Sequence, residues 1–492
     1  MVVEGHRFFR AASRAERVPP IMPSSKQPKV PAARPLFHEA LGRELSNKFL
    51  ALSTDPRTKS SISDFFNPEP AHEPNLCLET IDGTSLRNGV AIAAQILTAP
   101  SQVMLPRELS LTQDKKPNLP GCIYKLDDLN ALQVIERLLG QYGRMTHMGV
   151  RDHAYQFFLN PSRTGVVSYR LIDRVAVVSG DPICPISRYQ SVLEEFQNYC
   201  RTRHWQYAIT GASAEMARIS KELGWTTVQF ARERALDVRS NPVLLGGEGK
   251  RIRTQCKQLM KSGTQLSIYC PTYQRDLRLE QEISDLYETW RAERNDTRSV
   301  QAYVTVFDLF SLHRLMVFIY SQDPLGKING FAALRKLKDG YHVDPLIARA
   351  NAPRGMVDLL LVASMAFLRE AGVQRLLLGV EPLEELGEIS GMSRALESLT
   401  RKSHKLVSNE LPLSGKKGFN DRFRPAKALE EQLFLVYPNS PSMRQSVAMA
   451  HFANISFHAA LKQKCSRKLQ SRMRRLPSSA DHSIENAKQK SV

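Results

Sequence analysis

Three carboxylates stand where little else is polar. Asp344 comes at the far end of a hairpin sequence, Asp358 lies inside an otherwise oily stretch, and Glu381 follows the apolar run Leu376-Leu377-Leu378. Carboxylates in such surroundings can accept a proton or hold an ammonium group. Asp344 is two residues from His342, so on a strand both point to one face and can serve as an acid/base pair. Taken alone, His342 reads more simply as a polar strand residue facing water, and Asp358 as the partner of Arg354 one helical turn earlier. Lys416, Lys417, Arg422 and Arg424 crowd one loop around Phe419 and Phe423, where cations can grip a phosphate or an oxyanion. In GKRIRTQCKQLMKSG, residues Lys250, Arg253, Lys257 and Lys261 fall along one side of a helix, with Ile252, Cys256, Leu259 and Met260 along the other. Such a stripe suits an RNA backbone, although charge runs of this kind are usually the solvated face of a connecting helix. Asp181, in Gly180-Asp181-Pro182, reads as a turn former.

These groups need elements to hold them. Residues 328–337 and 341–347 alternate as strands about Asp339-Gly340, a dipeptide suited to a tight hairpin. Pro353 opens a helix that Gly372 closes, and 374–380 is an inner strand. The same unit occurs earlier: a hairpin over 165–180, a helix over 185–203, a strand over 205–210, a helix over 213–223 and a strand over 225–236. The later copy ends likewise, with a helix over 390–405 and a strand over 432–437. Two copies of one α/β unit are therefore expected. The division is a disordered basic region over 1–75, a lead-in over 76–124 with a helix near 88–99, and a first domain over 125–240 that begins with a helix over 126–142. A basic connecting helix over 247–264, a second, catalytic domain over 265–440, and a basic tail over 441–492 that is helical within 442–463 complete it.

The chain has 492 residues, ample for two domains, and a net charge of +19, which draws it to polyanions such as RNA or an anionic membrane face. Its seven cysteines are scattered, with no CxxC or Cys/His spacing that would hold zinc; they read as reduced residues of a cytosolic protein. No apolar run approaches the ~20 residues that span a bilayer. The tail KQKCSRKLQSRMRR could lie on an anionic membrane or hold RNA.

A hairpin-helix-strand unit with a polar residue where strands end resembles the GNAT acyltransferase plan. The Q/R-x-x-G-x-G/A loop that cradles the coenzyme A pyrophosphate is missing; 349–355 offers Asn351, Pro353 and Arg354 instead. The motifs GVVSYRLIDRVAVVSGDPICP, GKRIRTQCKQLMKSG, VDPLIARANAPRGMVDLLL, LLLGVEPL and GFNDRFRP occur in the order seen in the C-terminal domain of bacterial phosphatidylglycerol lysyltransferases. The resemblance covers roughly 125–440 and implies two tandem GNAT-like domains that move an amino acid from aminoacyl-tRNA to a lipid hydroxyl, with no cofactor and no metal. The chain departs from the bacterial pattern at Arg354, at Pro345-Leu346-Ile347 and after the last motif, and most resembles freestanding fungal members of the family that join glycine from glycyl-tRNA to the 3β-hydroxyl of ergosterol. It implies Asp358 as the ammonium partner, Asp344 and Glu381 as further catalytic groups, and Arg354, Arg422, Lys417, Phe423 and His342 as substrate-binding residues. Lys250, Arg253, Lys257 and Lys261 would touch tRNA, and the protein would be cytoplasmic and peripheral on membranes or lipid droplets. A glycerolipid acceptor is the alternative; an acyl-CoA N-acyltransferase or a non-enzymatic RNA or membrane adaptor is the second.

Overall fold

The structure, a computed structural model, describes residues 36–52, 123–295, 306–408 and 414–453. The helix expected near 88–99 and the part of the tail beyond 453 lie outside them. The first element corrects an expectation: within the stretch read as disordered, Phe37–Leu52 forms helix α1. Leu41, Leu45 and Phe49 recur every four residues and are all buried, a stripe masked in the sequence by its Pro- and Ser-rich flanks.

The first half then runs β1 (Ile123–Tyr124), α2 (Leu129–Tyr142), β2 (Gln156–Leu159), β3 (Val166–Ile172), β4 (Val175–Ser179), α3 (Tyr189–Thr202), β5 (Gln206–Ala212), α4 (Ala214–Glu222) and β6 (Thr226–Asp237). Asp173 and Arg174 both have positive φ, as a two-residue turn between β3 and β4 requires. Short α5 (Pro242–Leu245) and the expected basic helix α6 (Lys250–Lys261) lead to β7 (Gln265–Tyr269), α7 (Leu277–Asn295) and β8 (Met316–Gln322), three elements without a counterpart among the expected ones. The second half continues with β9 (Ile328–Leu337), β10 (Gly340–Ala348), α8 (Met356–Glu370), β11 (Arg375–Pro382), β12 (Ile389–Ser390), α9 (Arg394–Ser408), α10 (Ser414–Asp421), β13 (Glu431–Tyr437) and α11 (Met443–Phe452). Helix α10 is another correction: its residues read as a loop because two glycines dilute the pattern.

Both repeats are present, but the strands form one continuous mixed sheet, in the order β1-β2-β3-β4-β5-β13-β6-β11-β10-β9-β8-β7 with β12 beside β6. The two copies exchange their last strands. β6, the end of the first copy, pairs with β11 of the second, whereas β13, the end of the second, pairs with β5 of the first. β6 and β13 meet antiparallel in the middle. Each half therefore completes the other's sheet, and a division at 240 and 265 separates chain segments rather than independent sheets.

Helix α8 lies at the centre of the second half's core. Twelve of its residues are buried, among them Leu359, Leu360, Ala363 and Phe367, because α1 covers the side that the sheet leaves free. Gly42 permits that approach, since a methyl group there would stand 2.7 Å from the Ala366 carbonyl oxygen. Among the described residues no helix is long and apolar enough to cross a membrane.

Candidate active site

The two copies differ where the hairpin strand meets the strand after the helix. In the first, β4 and β5 pair in parallel over five positions, from Val175 with Gln206 to Ser179 with Thr210. In the second, β10 and β11 pair only at Tyr341 with Leu376 and His342 with Leu377. A register shift then interrupts β10 between Val343 and Leu346, and another interrupts β11 between Leu377 and Gly379. Beyond them β10 stays with β9 and β11 with β6, so the sheet parts and its peptide groups turn toward a gap. The opening belongs to the second copy, where the candidate residues lie.

His342 and Asp344 flank that opening on β10. His342 is only 2 % exposed, which corrects the reading of a strand residue facing water; the strand is covered on both faces there. Burial holds its imidazole well below the ordinary value, and Arg335, Lys416 and Arg151 add to the effect, so the ring is neutral. Burial raises the Asp344 carboxyl, with Lys416, Arg151 and Arg335 opposing it. Across the gap Gly379 has φ +105°, and a methyl group on it would stand 2.9 Å from Lys416 Nζ and 3.7 Å from His342 Nε2. Lys416 and His342 thus converge on one spot over a glycine that leaves it open. Lys416, one of the four cations singled out in the sequence, was given no individual role there; only the fold shows which lysine reaches the strands.

Two arginines lie beneath. Arg151 and Arg335 are each 1 % exposed, and burial pushes their guanidiniums down, to about 10 and about 9. Both remain charged at neutral pH. Arg151 donates to the Asp344 carbonyl oxygen at 2.6 Å and stacks 4.3 Å from the centre of the Phe307 ring. Its Nε and Nη1, and Nη1 of Arg335, have no hydrogen-bond partner among the described residues. This side of the opening carries surplus positive charge in a dry setting, which favours negative charge nearby.

The other expected residues sit on or against α10. Asp358, buried in the first turn of α8, takes a bidentate bond from Arg422, at 2.9 and 3.2 Å, rather than pairing with Arg354. Arg422 lies over Phe419, 5.0 Å from the ring centre. Phe423 is fully buried in the α8 core and lines no opening. Lys417 bonds Glu384 at 3.0 Å. Glu381 receives Arg232 and both its oxygens receive Arg234, whose other nitrogen holds Asp421 at 2.7 Å. A carboxylate so occupied ties β6 to β11. Arg354 is exposed, and its carbonyl accepts from Gln255 of α6 at 2.7 Å. The Gln255 side chain packs against Gly355, covering the α8 N-terminus where a pyrophosphate would have to sit. Asp181 of the first copy is buried, accepting from the Ser213 amide at 2.8 Å, while its carbonyl oxygen accepts from His147.

The basic stripe is divided. Lys250, Lys257 and Lys261 are exposed, Lys257 lying 5.7 Å from the Phe37 ring centre, but Arg253 donates to the Val243, Gly246 and Glu248 carbonyls. Helix α6 packs on α8 through Ile252, Cys256 and Leu259.

The sequence profile described as phosphatidylglycerol lysyltransferase, C-terminal, matches residues 136–435. The lysylphosphatidylglycerol biosynthesis bifunctional protein LysX of Rhodococcus jostii is 26 % identical over 238 residues, 47 % of this chain and 21 % of that protein. The MprF-like domain protein Rv1619 of Mycobacterium tuberculosis is 24 % identical over 296 residues, 58 % of each chain. The chain thus spans between a fifth and three-fifths of these relatives' length. Among solved structures, L-PGS from Bacillus licheniformis superposes with a TM-score of 0.53 at 16 % identity, over 67 % of this chain and 96 % of that one.

Proposed function

The chain belongs to the phosphatidylglycerol lysyltransferase C-terminal family, and from that premise we propose that it transfers the amino acid of an aminoacyl-tRNA to a lipid hydroxyl. The observation that carries the reading is the parting of β10 from β11 in the second copy alone, with His342, Asp344 and Lys416 gathered at the gap. Transfer exchanges one ester for another. The acceptor hydroxyl oxygen forms a bond to the aminoacyl carbonyl carbon, and the bond from that carbon to the ribose oxygen breaks. Asp344, whose carboxyl burial raises from its ordinary value and so makes a stronger base, takes the hydroxyl proton, and His342 lies beside the route that returns it to the leaving ribose oxygen. Lys416 and the buried arginines favour the oxyanion between the two steps. Both Asp358 oxygens are engaged by Arg422, so Asp358 serves by fixing α10, and with it Lys416. Glu381 does the same through Arg234 and Asp421.

The acceptor of choice is ergosterol at its 3β-hydroxyl and the donor glycyl-tRNA, supported by the departures at Arg354 and Pro345-Leu346-Ile347 from the bacterial pattern. Phosphatidylglycerol, the lipid in the family's description, is the second reading. The test is expression in a sterol-containing host that lacks such an enzyme, with mass spectrometry of the lipids. Ergosterol carrying one glycyl residue supports the first reading and an aminoacylated phospholipid the second. In vitro, product must vanish when the tRNA is deacylated or digested by ribonuclease beforehand; product that persists removes the donor assignment.

A further inference from the structure

Surface helices ordinarily bury an apolar side; α9 is held to the body chiefly by polar side chains, with Leu396 half-buried among them. Arg401 donates to the Leu386 and Gly387 carbonyls at 2.6 and 2.9 Å, the His404 ring bonds the Leu383 carbonyl at 2.9 Å, and Lys405 bonds Glu385 at 3.0 Å. Residues 401, 404 and 405 share one side of a helix, and 395, 399 and 403 lie opposite. On that outer side Leu399 is 60 % exposed, with Ala395 and Ser403 also exposed. No α9 residue of described exposure is buried. Exposed Lys402 stands beside Leu399, with exposed Arg394 at the helix start, while Glu397, the helix's one acid, is bonded to Arg401.

We propose that the outer face of α9, centred on Leu399 and Lys402, docks on an anionic membrane surface and brings the lipid acceptor to the opening between β10 and β11. The proposal rests on the lipid-acceptor reading above. An exposed leucine beside a cation matches the acyl boundary below a layer of negative headgroups; a purely ionic RNA contact leaves the outward leucine without purpose. The position agrees. Helix α9 is fastened to 383–387, the segment that leaves β11 beyond Gly379, and Glu384 of that segment bonds Lys417, the neighbour of Lys416.

The experiment is flotation of the full chain with phosphatidylcholine vesicles with and without phosphatidylserine, in the absence of tRNA. Leu399→Asp and Lys402→Glu are each expected to weaken binding to the anionic vesicles by about tenfold or more. Leu325→Asp, at a still more exposed leucine in the turn between β8 and β9, is expected to leave it unchanged. Unaltered binding by Leu399→Asp overturns the proposal, as does a loss confined to tRNA binding, which would make the face an RNA contact. Should Leu399→Asp fail to fold, Leu399→Trp decides: a blue-shifted emission on adding anionic vesicles supports docking, and no shift overturns it. Flotation requires no transfer, so a chain that floats through Leu399 but aminoacylates nothing keeps the surface and discards the catalytic reading.

Discussion

In the proposed transfer, three side chains at the opening between β10 and β11 carry the chemistry by having been moved from their ordinary protonation or position. Asp344 is the group whose titration should show in the rate. Its carboxyl is raised by burial, so the ionised base is lost as pH falls through a value higher than that of a solvated aspartate. His342, shifted the opposite way by burial, is neutral at neutral pH. The acid limb of kcat is therefore expected above the pH of a solvated aspartate, and Asp344→Asn should remove it while lowering kcat by about 10²–10⁴-fold; an unchanged profile in the variant assigns the base elsewhere. Lys416→Ala should cost about 10²–10³-fold in kcat with little change in melting temperature, because its stem is exposed on α10. A loss of the same size in KM with kcat intact would make it a binding group. The strand alternation of His342 and Asp344 was legible in the sequence. The burial of His342 was not, since alternation describes a strand with one wet face and β10 has none here.

Helix α10 joins the expected residues into one device. Lys416 reaches the strands from its first turn, Asp421 ends it in the hand of Arg234, and Arg422 and Phe423 just beyond it hold Asp358 and the α8 core. The sequence disclosed these residues as a crowd but not as a helix, because Gly415 and Gly418 weaken the periodic signal and the ordering contacts come from strands nearly 200 positions away. Asp358→Asn should then act at a distance: it keeps the shape, loses the charge that orients Arg422, and is expected to lower kcat by about tenfold or more while vesicle flotation persists. Full activity in this variant would show that α10 needs no such clamp. The repeats, by contrast, were readable as elements, and their exchange of last strands was not, since β6 and β13 have the same composition whichever half they complete. α1 belongs to the same scale. Its stripe of Leu41, Leu45 and Phe49 fills the groove over α8, so Leu45→Ala should destabilise the fold by about 2–5 kcal/mol, read by thermal melting. A change below measurement would mean that α1 only rests on α8.

Across the whole molecule the halves are joined at β6 and β13, and a buried charge sits at that seam. Glu233 of β6 stands opposite Glu431 of β13. Arg375 bonds Glu431 at 2.8 Å, and Arg144 bonds Glu431 while lying 3.7 Å from Asp181. Three carboxylates thus share two guanidiniums, and Glu233, 2 % exposed with Oε1 lacking a hydrogen-bond partner, is the one left over. Burial, partly offset by Arg144, raises it from 4.5 to about 7. A carboxyl raised in the folded state keeps a proton that the unfolded chain releases near 4.5, so its contribution is fully present below that value and is lost as pH rises through about 7. Glu233→Gln holds a neutral amide at every pH and escapes the loss. The variant should therefore melt close to the wild type near pH 4 and above it near pH 8, by about 1–3 kcal/mol in stability. A difference that stays constant between those two pH values would mean that Glu233 does not titrate at the seam and that the arginines are shared evenly among all three carboxylates. The expected divergence with rising pH would instead identify the joint between the halves as a place where the fold gives up stability at neutral pH to keep an acidic side chain dry.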